Sequence, residues 1–315
     1  MEHPRKFRFG VQLNRPLPGL NWADSARRIE ELGYSSLLMP DHFADQLGPI
    51  SAMTAAAAAT RTLKVGTLVF DNDYRHPVVL AKEMATIDLL YEGRCEVGMG
   101  AGWKTSDYDT SGIPMDAPGV RVARLMEAVQ IVRGLWGSEP VNFDGDHYRI
   151  TDLVGLPVPS SAGGPPLIIA GGSPRMLRFA GANADIVGVN PSIHSGEVDA
   201  EAARDSLADR IDQKVGWVRE GAGDRFDALE INAWVPVVAI TDDAGSVAQM
   251  LAPGFGIDSA NASDALESPM TMIGTVDEIG ERLEQRRSRW GYSYHVVQDE
   301  TAFDLAPVVA KFAGT

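Results

Sequence analysis

The chain has 315 residues, 44% of them hydrophobic and 23% charged, with 28 basic against 43 acidic side chains and a formal charge of −15. That balance describes a globular protein with one large core, and it excludes nucleic acid as a partner because a phosphate backbone would be repelled. Cys95 is the only cysteine, which leaves no disulfide framework and no cysteine metal site and makes the cytoplasm the expected compartment. No apolar stretch follows the basic start MEHPRKFRFG, and the alanine run 55–59 is too short to span a bilayer, so neither export nor a membrane partner is expected.

In chain order, short runs rich in β-branched or apolar residues fall at 7–13, 35–39, 63–70, 94–99, 166–170, 185–189, 231–240 and 292–297. Helical spacing separates them. Residues 22–32 place Ala23, Ala26, Ile29 and Leu32 on one face, 77–90 opens on a proline suited to a first turn, and 120–135 is similar. Gly33 and Gly291 each follow a helical segment and precede a strand, as the αβ loop of a repeating unit requires. Eight β-α units predict an α/β fold of the (β/α)8 TIM-barrel type, with a doubly wound sheet as the competing topology. Two stretches interrupt the alternation. Residues 138–165 contain VNFDGDHYRI, a hairpin around Asp144-Gly145, followed by a Pro/Gly/Ser-rich segment, and residues 252–272 are rich in glycine and serine. Both are expected to be insertions in one domain, 1–315, and candidate substrate lids.

Barrel chemistry sits where strands end, so the C-terminal ends of the eight runs are the positions to read. They carry Gln12-Leu13-Asn14, Pro40-Asp41-His42, Phe70-Asp71-Asn72-Asp73, Gly100-Ala101-Gly102-Trp103 and Gly171-Gly172-Ser173. His42 is the expected catalytic residue, since an imidazole changes charge near neutral pH; the alternative is a structural histidine oriented by Asp41. GMGAG at 98–102 is G-x-G-x-G rather than the dinucleotide fingerprint, so its glycines read as relief of crowding and as backbone able to approach a ligand, with Trp103 as a cover. Gly171, Gly172, Ser173 and Pro174 combine free amides, an N-cap and a first-turn proline, an anion site or simply a cap. Trp103, Tyr108 and Trp234 are candidate pocket walls, and Glu96 reads as a buried carboxylate paired with a base. Six histidines at 3, 42, 76, 147, 194 and 295 show no metal-binding spacing, and there is no GxSxG elbow, so no metal site or hydrolase is expected.

Five collinear segments carry a resemblance: MPDHF (39–43), VGTLVFDNDYRHP (65–77), GRCEVGMGAGW (93–103), LIIAGGSPRMLRFAGANADIVGVN (167–190) and MIGTVDEIGERLEQRRSRWGYSYHVV (272–297). Together they resemble the bacterial luciferase-like superfamily from end to end, and within it the F420-dependent branch. The resemblance implies a luciferase-like barrel that passes a hydride between the deazaflavin coenzyme F420 and a small organic substrate. An FMN-dependent two-component monooxygenase and a catalytically silent flavin-binding protein are the alternatives. It further implies His42 beside the deazaflavin and a bulge at Leu68, Val69 and Phe70 with a non-prolyl cis peptide, either 68–69 or 69–70. The cofactor-binding set it suggests is Asp41, Leu68, Val69, Phe70, Ala101, Gly102, Trp103, Tyr108, Gly171, Gly172, Ser173 and Arg175. Arg175 and Arg178 would favour the phosphate and anionic tail of F420. A homodimer and a separate F420 or flavin reductase are implied as partners. One departure stands out: the sugar-phosphate dehydrogenases of the branch have a glutamate, proposed as general acid, after the GxG, whereas this chain has Trp103, which argues against glucose 6-phosphate oxidation.

Overall fold

The computed structural model describes residues 5–193, 196 and 199–315, so His3 and His194 lie outside the described residues. Thirteen strands occur among them: β1 Arg8–Gln12, β2 Ser36–Met39, β3 Lys64–Thr67, β4 Phe70–Asp71, β5 Cys95–Gly100, β6 Val141–Asp144, β7 Arg149–Leu153, β8 Leu167–Gly171, β9 Ile186–Val189, β10 Glu230–Val235, β11 Val237–Ile240, β12 Thr271–Gly274 and β13 Tyr292–Gln298. Nine form one parallel sheet in the order β3-β2-β1-β13-β10-β9-β8-β5-β4, and a β3–β5 pairing closes the ring. Because β3 and β4 both pair with β5, they are two halves of one stave, and the barrel has eight. The expected (β/α)8 architecture is present.

Burial on both faces explains why these strands are short continuous apolar runs rather than alternating ones. Leu38, Leu68, Ile168, Ile186, Tyr294 and Val296 fill the interior, with Val69 and Trp234 against them. Facing outward, Val11, Leu37, Val65, Val97, Ile169 and Val187 pack under the helices. Gly98 is needed inside the sheet, because a Cβ there would stand 2.2 Å from the Thr67 carbonyl oxygen. The helix Val276–Trp290 shows how local sequence sets the ends: Thr275 and Glu278 form a reciprocal capping box, and Gly291 closes the other end at φ +86°.

Two expected strands divide. The run 231–240 splits at Pro236, which has no N–H for a ladder; β10 stays in the barrel and β11 leaves it to pair with β12. The run 63–70 splits at the Leu68–Val69 peptide, which is cis. Of the two interruptions, 138–165 forms the expected antiparallel hairpin β6–β7. It is tied to the helix Pro118–Leu135 by Glu127, which accepts from the amides of Asp146, His147 and Tyr148. The segment 252–272 is not a bare loop, because it holds short 3-10 turns, a helix at Asp264–Glu267 and the start of β12.

The bottom of the barrel is polar. Glu96, fully buried, accepts from Arg8 at 2.9 Å, Lys64 at 3.2 Å and the Tyr294 hydroxyl at 3.3 Å, and Arg8 also pairs with Glu230 at 2.6 Å. Burial alone would raise the Glu96 pKa, but Arg8 and Lys64 outweigh it and hold the carboxylate below its ordinary range. The expected structural role of Glu96 is what the geometry supports. Outside the barrel wall, His295 is fully buried between Phe7, Phe9 and Tyr292 with neither ring nitrogen hydrogen-bonded, and burial with nearby Arg286 pushes its pKa down to about 3.

Candidate active site

A cavity of about 840 Å³ opens at the C-terminal ends of the barrel strands, a size suited to a cofactor together with a small substrate. Its wall takes residues from the ends of β1, β2, β4, β5, β8, β9, β10 and β13, the convergence on one rim that strand polarity dictates. Neither the hairpin segment nor 252–272 contributes a lining residue, so the candidate lids stand elsewhere; residues around 115–118 and 190–193 flank the opening instead.

His42 lines the cavity, and its Nδ1 lies 2.6 Å from Oδ2 of Asp107. A carboxylate can only accept, so the neutral ring donates its proton from Nδ1 to Asp107 and leaves Nε2 as the available acceptor. Trp103 meets the imidazole edge to face, with centroids 5.5 Å apart. The expectation that Asp41 orients His42 is corrected: Asp41 is engaged by the Arg75 guanidinium, with Nη2 3.1 Å from Oδ1, and accepts the Asp71 amide at 3.0 Å. It fixes the β4 end, whereas Asp107, on the short helix Thr105–Ser111, holds the histidine.

Leu68, Val69 and Phe70 form one wall, and the cis bond is 68–69. Gln12 reaches across from β1 to donate to the Leu68 carbonyl oxygen at 2.5 Å, while its own Oε1 accepts from Trp234 at 3.2 Å and Gln298 at 3.0 Å. Those three strand ends therefore lock the bulge. Gln12 was visible at its strand end, but its partners were not.

Beside the bulge, where β5 pairs with β4, lie Ala101, Gly102 and Trp103, braced by Arg121, whose Nε donates to the Ala101 carbonyl oxygen at 3.0 Å. Tyr108 is not a wall residue. It is 2% exposed behind the rim, with its hydroxyl 2.9 Å from Asp71 Oδ2 and 3.0 Å from Asp73 Oδ2, because the helix bearing it turns that face inward.

Gly171, Gly172 and Ser173 line the cavity at the start of the helix Pro174–Asn183, where Ser173 caps the Met176 amide at 3.3 Å and Pro174 occupies the first turn. A Cβ on Gly172 would lie 2.5–2.7 Å from backbone atoms of 190–192, so the tight approach here is to the neighbouring loop. Arg175 is corrected as a cavity residue: it is exposed and donates to the Gly119 carbonyl oxygen at 3.2 Å, while Arg178 pairs with Glu220 at 2.6 Å on the surface. Helical geometry carries both side chains off the rim. Among the described residues, the lysine and arginine side chains that line the cavity are Lys104 and Arg121.

Two acids at the wall are perturbed. Burial pushes Asp71 up to about 6 against the opposing hydrogen bonds from the Asp73 amide and Tyr108, and burial also raises Asp299. Asn14 contributes a buried Oδ1 without a hydrogen-bond partner among the described residues. No cluster of metal-ligating side chains occurs among the described residues, and no described helix is long and apolar enough to cross a membrane.

An apolar bulge, a glycine-rich wall and a capped helix end around one cavity define an enzyme site on a (β/α)8 barrel. The luciferase-like monooxygenase family model matches residues 7–252, and the chain belongs to that family. An F420-dependent glucose-6-phosphate dehydrogenase of Mycobacterium tuberculosis (strain CDC 1551 / Oshkosh) is 31% identical over 321 aligned residues, covering 88% of this chain and 90% of that one. The enzyme of the same name from Nocardia farcinica is 37% identical over 172 residues, and there the match spans about half of each, 51% of this chain and 50% of the relative. Among solved structures, the F420-dependent tetrahydromethanopterin reductase of Methanopyrus kandleri superposes with a TM-score of 0.74 at 19% identity, covering 98% of this chain and 99% of that one, which establishes the shared fold.

Proposed function

We propose that this protein is an F420-dependent oxidoreductase that passes a hydride between the deazaflavin and a small organic substrate. The observation that carries the reading is the juxtaposition, in one cavity, of the Leu68–Val69 bulge, the His42–Asp107 pair and the capped helix at Ser173. The residues fit the group. The apolar faces of Leu68 and Val69 would support a flat ring, Ala101 and Gly102 would leave room beside it, and the amides at Gly172 and Ser173 would donate to a phosphate at a helix N-terminus. F420, once bound, supplies the hydride chemistry. The protein's part is to orient the ring and exclude water, and His42, with Nδ1 tied to Asp107, presents Nε2 as a hydrogen-bonding group for the ring. A small-molecule substrate, a homodimer in the cytoplasm and a separate F420 reductase belong to this reading.

An anaerobic titration of the purified protein with reduced F420 and with reduced FMN tests it. F420 is expected to bind more tightly and to be oxidised by a carbonyl or activated alkene; FMN binding at least tenfold better, about 1.4 kcal/mol, overturns the assignment. Glucose 6-phosphate belongs in the same assay in the oxidative direction, as the substrate of the named relatives.

A further inference from the structure

A single phenol sits between two carboxylates. The Tyr108 hydroxyl is 2.9 Å from Asp71 Oδ2 and 3.0 Å from Asp73 Oδ2, yet it has one proton to donate. Both contacts are hydrogen bonds only if one of the carboxyls carries a proton of its own and donates it to the phenol oxygen. Asp73 is the anion, because Arg124 donates to its Oδ1 at 2.7 Å. Asp71 has no ion-pair partner among the described residues. Its Oδ1 accepts the Asp73 amide at 2.9 Å, and its carboxylate neighbour Asp41 is neutralised by Arg75. From the other elements packed here, Tyr74 turns its hydroxyl toward both Asp71 and Asp107, 3.4 Å from the latter, and Arg121 lies over the Tyr108 ring at 5.9 Å.

The two ends of this chain open on different spaces. Asp71 lines the large cavity, whereas Asp73 lines a second hollow of about 390 Å³ together with Arg124, Asp116 and Tyr148, large enough for water. We infer that Asp71, Tyr108 and Asp73 form a proton relay between the cavity and the outer hollow. The use of the proton rests on the oxidoreductase reading above. In the reducing direction, a two-electron hydride donor such as reduced F420 would supply the hydride for a C–H bond at one end of the substrate double bond and would itself become oxidised. The displaced π pair takes the proton of Asp71 at the other end. Asp71 regains a proton from Tyr108, which takes one through Asp73 from water in the outer hollow. The oxidative direction reverses each transfer. A carboxyl that burial has pushed up to about 6 is matched to such traffic near neutral pH.

Infrared pH-difference spectra of the full chain, with and without F420, test the relay alongside turnover. Between about pH 5 and 8 the parent should show a protonated-carboxyl band that Asp71→Asn abolishes and whose titration Tyr108→Phe displaces, and both variants should lose at least tenfold in kcat. Absence of any such band from the parent-minus-Asp71→Asn spectrum overturns the relay. Parental kcat and pH profile in a folded Tyr108→Phe overturns it too, and Asp73→Asn gives the same test should Tyr108→Phe fail to fold. Because the band needs no substrate, a titrating Asp71 coupled to Tyr108 in a protein that turns over no F420 upholds the relay and refutes the oxidoreductase reading instead.

Discussion

His42 Nδ1 and Asp107 Oδ2 stand 2.6 Å apart although 65 positions separate them in the chain. Asp107→Asn replaces an obligate acceptor with an amide, so the imidazole is no longer held in one tautomer. We expect kcat to fall roughly 10- to 100-fold, and His42→Ala to cost roughly 10²–10⁴-fold. Melting temperature should change little for His42→Ala, a residue of the rim. Steady-state kinetics with F420 beside thermal melts check this, and parental turnover in both variants would make the pair architectural.

At the phosphate end, Gly172→Val drives a side chain into the backbone of 190–192. Cofactor binding should weaken at least tenfold and stability should fall as well. Arg175→Ala should bind F420 like the parent at low and high salt, since its guanidinium rests on the Gly119 carbonyl. Fluorescence titration of F420 reads both; a large, salt-sensitive loss in Arg175→Ala would return that residue to the site.

Asp71 also makes a stability prediction. Its folded pKa, about 6, exceeds the ordinary 3.8, so the native state holds the extra proton and loses stability as pH rises through that window. Asp71→Asn mimics the protonated acid, its amide donating to Tyr108. At pH 8 it should therefore be more stable than the parent by up to about 2–3 kcal/mol while being slower. Denaturant melts at pH 5 and 8 decide: an advantage that does not grow with pH contradicts the shift.

His295 works the other way. With a folded pKa of about 3 against an ordinary 6.5, the native state resists protonation, so its contribution is intact above 6.5 and lost as pH falls toward 3. At pH 5 the loss is about 2 kcal/mol. His295→Phe should flatten the acid limb of the stability curve without touching turnover, as urea melts from pH 7.5 down to 4.5 will show. Because the Asp71 and His295 slopes oppose each other between pH 4 and 6, each variant has to be compared with the parent separately.

What the sequence made legible was whatever is encoded locally. Continuous apolar runs marked all eight staves, Gly291 and Thr275 marked helix ends, and Asp144-Gly145 marked the hairpin. Pro236 was the available signal for the β10–β11 split, yet an apolar run hid it, and β12 is too short to announce itself beside a glycine-rich stretch. In the site, the positions at strand ends were found but their partnerships were not. Asp107, Tyr108 and Arg121 owe their roles to how one short helix and one long helix fold back over the rim, and Arg175 misled because adjacency to a capping motif says nothing of which way a side chain leaves the helix.

The ionic floor of the barrel bears on how the chain is made. Arg8 meets Glu96 and Glu230, and Tyr294 meets Glu96, so the set draws on the beginning, middle and end of the polypeptide. During synthesis, Arg8, Lys64 and Glu96 emerge long before residues 230 and 294, and until those arrive the Arg8 guanidinium in a prematurely closed ring would lack its second carboxylate and Glu96 the Tyr294 hydroxyl. The floor thereby penalises partial rings of six or seven staves, and it favours a nascent chain that waits, open and hydrated, for its last strand.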